Sequence, residues 1–203
     1  PKDAPDISSG YGIIAKHLAP RLAEHYGYEN VLLYCPVFQR ESVREWKGIT
    51  VLPGTTADYG EDMILPHYEK LGCNLLLMLG DWFPLTKVPQ LAAENKLLWI
   101  QWAPYDFLNV SDFVKEKLRY AIKVVPFCNQ ATRMFKQAGL ENTSDAIYLG
   151  LDANIWKPMD RRAFPKIMKS LGFSEDSYNI LLVAANQHRK YLRESLEGIK
   201  HFI

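Results

Sequence analysis

The chain predicts an α/β protein built on a doubly wound parallel sheet, followed by the first strand-helix unit of a second domain of the same kind. Three observations carry that reading. Compact apolar runs without polar alternation recur along the chain, as buried parallel strands require. Segments with helical apolar spacing, about ten to fifteen residues long, lie between them. The length of 203 residues provides one full core and leaves a remainder too short for a second complete domain.

Taken in order, the chain opens on a polar loop, Pro1 to Gly12, with no strand before it. A doubly wound domain of the Rossmann type places a strand ahead of such a loop, so the expectation is a chain that starts just after its first strand or lacks it. A helix follows, with Ile14, Leu18 and Leu22 on one face and Gly27 as its stop. Val31 to Cys35, ended by Pro36, and Ile49 to Leu52, ended by Pro53, read as buried parallel strands. Glu61 to Leu71 has helical spacing and stops at Gly72. Asn74 to Leu79 is the plainest strand, Leu97 to Gln101 another, and Ala121 to Pro126 a third. Gln130 to Ala138 is a helix closed by Gly139, with Asn129 a better N-cap than Cys128. Ala146 to Leu149 reads as a short buried strand. Gly150 then allows a tight turn, Asp152 caps a brief helix, and Pro158 closes it. Arg161 to Leu171 is a basic helix, Asn179 to Ala184 a strand, and Leu192 to Phe202 an amphipathic helix.

Composition narrows the functional classes. An apolar fraction of 48% fits a globular protein, and a formal charge of +1 with interspersed signs leaves no footprint for nucleic acid. No apolar run reaches membrane-spanning length and no secretory signal opens the chain. Cys35, Cys73 and Cys128 are odd in number, widely spaced and without metal-ligand pairing, so they read as reduced buried thiols of a cytoplasmic protein. His17, His25, His67 and His201 form no triad and no metal spacing; they read as surface or packing residues.

Chemistry is expected at the carboxyl ends of the strands. Gly80-Asp81-Trp82-Phe83 leaves one strand and Trp102-Ala103-Pro104-Tyr105-Asp106-Phe107 leaves the next, each setting a carboxylate beside aromatic rings. A sugar presents an apolar C–H face and a polar rim, which such pairs match. The plain alternative is that the rings pack the sheet edge while Asp81 and Asp106 cap the helices that follow. Ser8, Ser9, Gly10 and Gly12 stand at a helix N-terminus, where backbone N–H groups and the dipole favour a phosphate. The plain alternative there is a serine N-cap with glycines for the turn. A dinucleotide oxidoreductase is disfavoured, because no third glycine completes the fingerprint and Tyr34-Cys35-Pro36 puts no acid at the end of the second strand.

The stretch Ala146 to Pro158, with Leu149-Gly150-Leu151-Asp152 and then Trp156-Lys157-Pro158, resembles the hinge of family 4 glycosyltransferases of the GT-B fold, which usually read His-Gly-Val-Asp and Phe-x-Pro. Gly10-Tyr11-Gly12 is similar to their glycine-rich loop facing the interdomain cleft. Ala138-Gly139 match a pair that closes a helix there, with Cys128 where serine is usual. Arg189 and Lys190 match basic residues that bind the donor diphosphate, with Ala185 where an arginine is common, and Gln101-Trp102 stand where many members carry a histidine.

The resemblance implies an N-terminal acceptor-side Rossmann-like domain over residues 1–150, a hinge and linker over 151–175, and the start of a donor-binding domain over 176–203. It implies a retaining, metal-independent transfer of sugar from a nucleotide-sugar donor to an acceptor hydroxyl, in a fragment that alone does not turn over. The donor diphosphate would lie between Gly10, Tyr11, Gly12 and Arg189, Lys190. Asp81, Trp82, Trp102 and Tyr105 would meet the transferred sugar or acceptor, with Asp106 the first candidate for the catalytic group. No cofactor or metal is implied beyond the donor, and no nucleic acid. The acceptor is a carbohydrate or lipid, which leaves peripheral membrane contact open. The alternative class is a sugar- or partner-binding module that kept the fold without the chemistry.

Overall fold

The fold is described from a computed structural model covering residues 3–36, 42–55, 58–174 and 178–202; Pro1 and Lys2 of the opening loop lie outside the described residues. The chain divides into two compact units, Pro1–Gly150 and Leu151–Ile203. Each is described by itself.

The first unit is a mixed α/β arrangement. Its strands are β1 (Leu32–Tyr34), β2 (Arg44–Trp46), β3 (Ile49–Leu52), β4 (Leu76–Leu79), β5 (Trp99–Ala103) and β6 (Lys123–Pro126). Its helices are α1 (Gly10–Tyr26), α2 (Ile64–Lys70), α3 (Lys87–Ala93), α4 (Asp112–Leu118) and α5 (Asn129–Gln137). Where a single doubly wound sheet is expected, the strands among the described residues form two three-stranded sheets, in the orders β1-β3-β2 and β4-β5-β6. The second is parallel throughout, with Leu77 opposite Ile100 and Gln101 opposite Val124. In the first, β1 and β3 pair in parallel as expected, but β2 joins antiparallel, with Trp46 opposite Ile49. Lys47 and Gly48 both adopt positive φ (51° and 77°), the two-residue turn whose twist suits a hairpin.

The larger core lies between the parallel sheet and helices α3, α4 and α5. Trp99, Val124, Val88, Leu118 and Phe135 are all fully buried there. The smaller core sets α1 on the first sheet. The face that α1 buries is Ala15, Ala19 and Ala23, at i, i+4 and i+8, with Ile14, Leu18 and Leu22 half-buried at its flank. The expected face is therefore displaced by one residue. Alanines let the helix axis come close to Leu33, Ile49 and Val51, and the larger side chains reach around that contact. Gly27 ends α1 at φ 95° as expected.

Two further expectations change. Asn129 is the first residue of α5 and Cys128 is its N-cap; the Asn129 amide donates to the Tyr148 hydroxyl, 3.2 Å away, instead of being capped by a side chain. Ala146 to Leu149 forms no strand, and Ile147, Tyr148 and Leu149 are exposed. The segment starts as a neighbour of β6. Val124 donates to the Asn142 carbonyl (3.1 Å) and accepts from the Ser144 amide (3.0 Å). The next rung needs an amide at position 126, and Pro126 has none. Only Ile147 to Pro126 (3.0 Å) continues the contact.

The opening loop is fastened to the first sheet by Arg44, whose guanidinium donates to both oxygens of Asp6 at 2.8 and 2.9 Å. That hydrogen bond holds the Asp6 carboxyl below its ordinary value. A carboxyl with a depressed folded pKa stabilises above its unfolded value and loses that contribution as pH falls through the folded one. Both side chains are partly exposed (34% and 46%), so solvent screens the pair. Arg44→Ala is therefore expected to cost less than about 1 kcal/mol at pH 7. That difference should shrink as pH falls below the ordinary aspartate range and vanish once the folded Asp6 carboxyl is protonated, as denaturant midpoints taken across the acid range would register.

In the second unit, Arg161–Ala163 form a 3-10 turn leading into α6 (Phe164–Ser170), and α7 spans Leu192–Phe202. Asp152 caps a turn, its carboxylate accepting from the Asn154 amide at 2.9 Å, although no helix follows. The strand expected over Asn179 to Ala184 has no ladder bonds. A parallel strand exists only through its neighbours, and no other strand occurs among the described residues of this unit. Cys35 is buried while Cys73 and Cys128 are half-buried; all three are free thiols.

Candidate functional site

The parallel sheet ends in the loops that bear the expected site. After β4, Gly80 takes φ 145°, a conformation L side chains rarely adopt. From that bend Asp81 turns toward α1, where the Tyr11 hydroxyl donates to its Oδ1 at 2.9 Å. One hydrogen bond thus joins the glycine-rich loop to the end of the fourth strand. Tyr11 is held well above the ordinary phenol range, chiefly by burial and then by the Asp81 carboxylate, with smaller contributions from the charges of Asp3 and Asp106. Three carboxylates therefore act on one phenol. Neither Asp81 nor Asp106 caps a helix: Thr86 precedes α3 and Ser111 precedes α4.

The two glycines at the start of α1 differ in their surroundings. A Cβ on Gly10 would meet nothing within 4 Å. A Cβ on Gly12 would stand 2.3 Å from the Ile7 carbonyl oxygen and 2.8 Å from that of Ala4. Gly12 is accordingly accounted for by the loop folding back on the helix. Ser9 is the N-cap, accepting from the Gly12 amide at 3.0 Å while donating to Asp3, itself only 7% exposed, at 2.5 Å. The helix terminus already faces one carboxylate through Ser9.

Of the aromatic residues, Trp82 is 2% exposed and donates its indole N–H to the Pro104 carbonyl at 3.1 Å. It is the hub under the two loops, stacked on Tyr105 (6.2 Å between centroids) and edge-on to Phe83 (6.1 Å). No ring face of Trp82 is open to a sugar. Trp102 is half-buried, donates to the Ile147 carbonyl at 3.0 Å and meets Phe127 edge-on. Tyr105 is half-buried, and its hydroxyl donates to the Asn109 carbonyl; burial, then the neighbouring Asp106 charge, raises it above the ordinary phenol range. Asp106 itself is exposed. Arg189 and Lys190 belong to the second unit, exposed in the 3-10 turn His188–Lys190.

Two residues that the sequence reading did not single out as site groups hold this geometry. Gln101, where a histidine was looked for, is fully buried and donates through Nε2 to the Gly80 carbonyl at 2.9 Å, bracing the bend before Asp81. Glu61 reaches across from the 3-10 turn Asp58–Met63 and accepts from the Thr86 and Val88 amides, each at 2.8 Å, anchoring the far end of the same loop. An isolated glutamate in a helical pattern carried no signal for that reach.

Among the described residues no group of three His, Cys, Asp or Glu side chains could hold a metal ion. No described helix is long and apolar enough to cross a membrane. No protein-family model and no curated protein matches the chain.

Proposed function

We propose that the chain is the acceptor-side part of a glycosyltransferase that moves a sugar from a nucleotide-sugar donor to an acceptor hydroxyl, with retention and without a metal. The observation that carries this reading is the Tyr11–Asp81 hydrogen bond at 2.9 Å. It supports the view that the glycine-rich loop and the carboxyl end of the parallel sheet serve one site, where carboxylates accept from sugar hydroxyls beside half-buried aromatic rings. Asp81 and Asp106 are the hydroxyl acceptors on this reading, and Trp102 and Tyr105 the aromatic partners of the sugar. Arg189 and Lys190 are the donor-phosphate ligands on this reading.

A second reading has a specific observation in its favour. The charges that reach Tyr11 are those of Asp3, Asp81 and Asp106, and carboxylates suit hydroxyl groups better than a diphosphate. A sugar-binding module without transfer chemistry fits that charge pattern.

One titration series separates the outcomes. Neutral oligosaccharide added to the protein that carries this chain is expected to perturb the Trp102 indole resonance. Asp81→Asn should weaken that binding about tenfold, the usual worth of a charge-assisted hydrogen bond. Hydrolysis of a nucleotide sugar favours the transferase, and binding without turnover favours the module. Sugars that leave the Trp102 indole unmoved would end both.

A further inference from the structure

We infer that the acceptor is an amphiphile, whose hydroxyl-bearing head meets Asp81 and Asp106 and whose apolar aglycone lies on an aromatic shelf formed by the same two loops and the start of α4. The inference rests on the acceptor-side reading and names the class of molecule that it accepts.

The shelf is built on the buried Trp82. Phe83, Tyr105 and Phe113 contact its ring at 6.1, 6.2 and 6.4 Å between centroids, and Phe107 contacts Tyr105 at 5.6 Å. The outer members face solvent: Phe83, Phe107 and Phe113 are about half exposed and Leu108 is 86% exposed. Exposed apolar groups clustered this tightly mark a surface that something covers. What covers it is indicated by what lies within it. Asp81 is the chain neighbour of Trp82, and Asp106 stands between Tyr105 and Phe107. A wholly apolar occupant would strip exposed Asp106 of water without giving it a hydrogen-bond donor, and would leave Asp81 with Tyr11 alone. A wholly polar one would leave the rings wet. A head rich in hydroxyls joined to an alkyl or aryl tail satisfies both.

A bilayer surface fits less well. Lys117, whose ammonium lies 5.4 Å from the centre of the Phe113 ring, donates to the Leu85 carbonyl, and Lys115 pairs with Asp112 at 2.6 Å. The cations at the shelf are engaged, and the negative charges of Asp81 and Asp106 would repel anionic headgroups.

The test compares octyl glucoside below its micelle concentration with methyl glucoside and with an octyl zwitterion that has no sugar, each titrated into the protein and followed by the Trp102 and Trp82 indole resonances. Octyl glucoside is expected to bind at least about tenfold more tightly than methyl glucoside, the effect of burying about two methylenes. Leu108→Ser, at an exposed position, should abolish that advantage and leave methyl glucoside binding unchanged. Equal affinity for the two glucosides overturns the inference and leaves the acceptor-side reading intact. Equal affinity for octyl glucoside and the zwitterion reduces the shelf to a general apolar patch and also overturns it, as does self-association of the protein that buries Leu108. Absence of binding by any sugar overturns both this inference and the reading beneath it.

Discussion

Glu61→Ala is expected to lower the unfolding free energy by about 3 kcal/mol, the sum of two or three backbone and hydroxyl donors left without their acceptor. Glu61 is 7% exposed. Its two oxygens accept from the Thr86 amide at 2.8 and 3.1 Å, the Thr86 hydroxyl at 3.2 Å and the Val88 amide at 2.8 Å. Thr86 and Val88 flank the first residue of α3, where a helix has amides with no partner of their own. The carboxylate also opposes the positive end of that helix. Val88 is fully buried, so water cannot replace the lost acceptor. Glu61→Gln keeps one acceptor oxygen and should lose about half as much. Urea midpoints of the three proteins give the ranking directly. The same series tests the site, because the loop from Gly80 to Thr86 carries Asp81. The Tyr11 ring resonances should broaden in the alanine variant and stay sharp in the glutamine one. A midpoint for Glu61→Ala within experimental error of the parent would show that the loop is held by packing alone.

Gly12→Ala is expected to be about as costly, near 3 kcal/mol, the upper end of what overpacking produces. The added methyl would press on two carbonyl oxygens at 2.3 and 2.8 Å, and both belong to backbone. A flexible side chain could step aside, but Ile7 and Ala4 are fixed by their own turn, in which the Ile7 amide donates to the Ala4 carbonyl at 3.0 Å. Relief requires the opening loop to leave the helix, which breaks the Ser9 cap and the Asp3 contact with it. Gly10→Ala is the matched control. It stands two residues away with open space around its Cα, and should shift stability by less than about 0.5 kcal/mol. If the two substitutions were equal in denaturation, the tight seat of Gly12 would be wrong. Should Gly10→Ala alone impair sugar binding, a ligand rather than the loop would be what requires glycine there.

These effects show which parts of the molecule could be read in advance. Strands β1 and β3 to β6 were legible because each is a short apolar run, broken only by Thr50, Gln101 and Lys123, as a strand covered on both faces needs. The hairpin strand β2 was not, since Arg44-Glu45-Trp46 is polar and short; the signal for it lay in Lys47-Gly48, both at positive φ. Ala146 to Leu149 is apolar enough for a strand, yet Pro126 on its neighbour withholds the amide that a ladder requires. That depends on which strand lies beside it, a fact no local pattern contains. The candidate site follows the same division. That Asp81 and Asp106 leave adjacent strand ends follows from strand order, whereas the Tyr11–Asp81 bond links residues seventy positions apart and required the fold. Trp82 illustrates the converse: an indole beside a carboxylate looks like a sugar platform until its ring is found enclosed by Phe83, Tyr105 and Phe113.

Strands β1 and β4 each bond to one neighbour only among the described residues, β3 and β5 respectively. Their other margins are apolar and short, and the outward main chain of such an edge is a template for pairing. Half-exposed Leu75 and Leu77 sit on one of them. Such a margin is adhesive. Preparations of this chain by itself should form reversible assemblies as protein concentration rises, through main-chain pairing at that rim. Lysine at position 77, placed on that rim, is the remedy to try first.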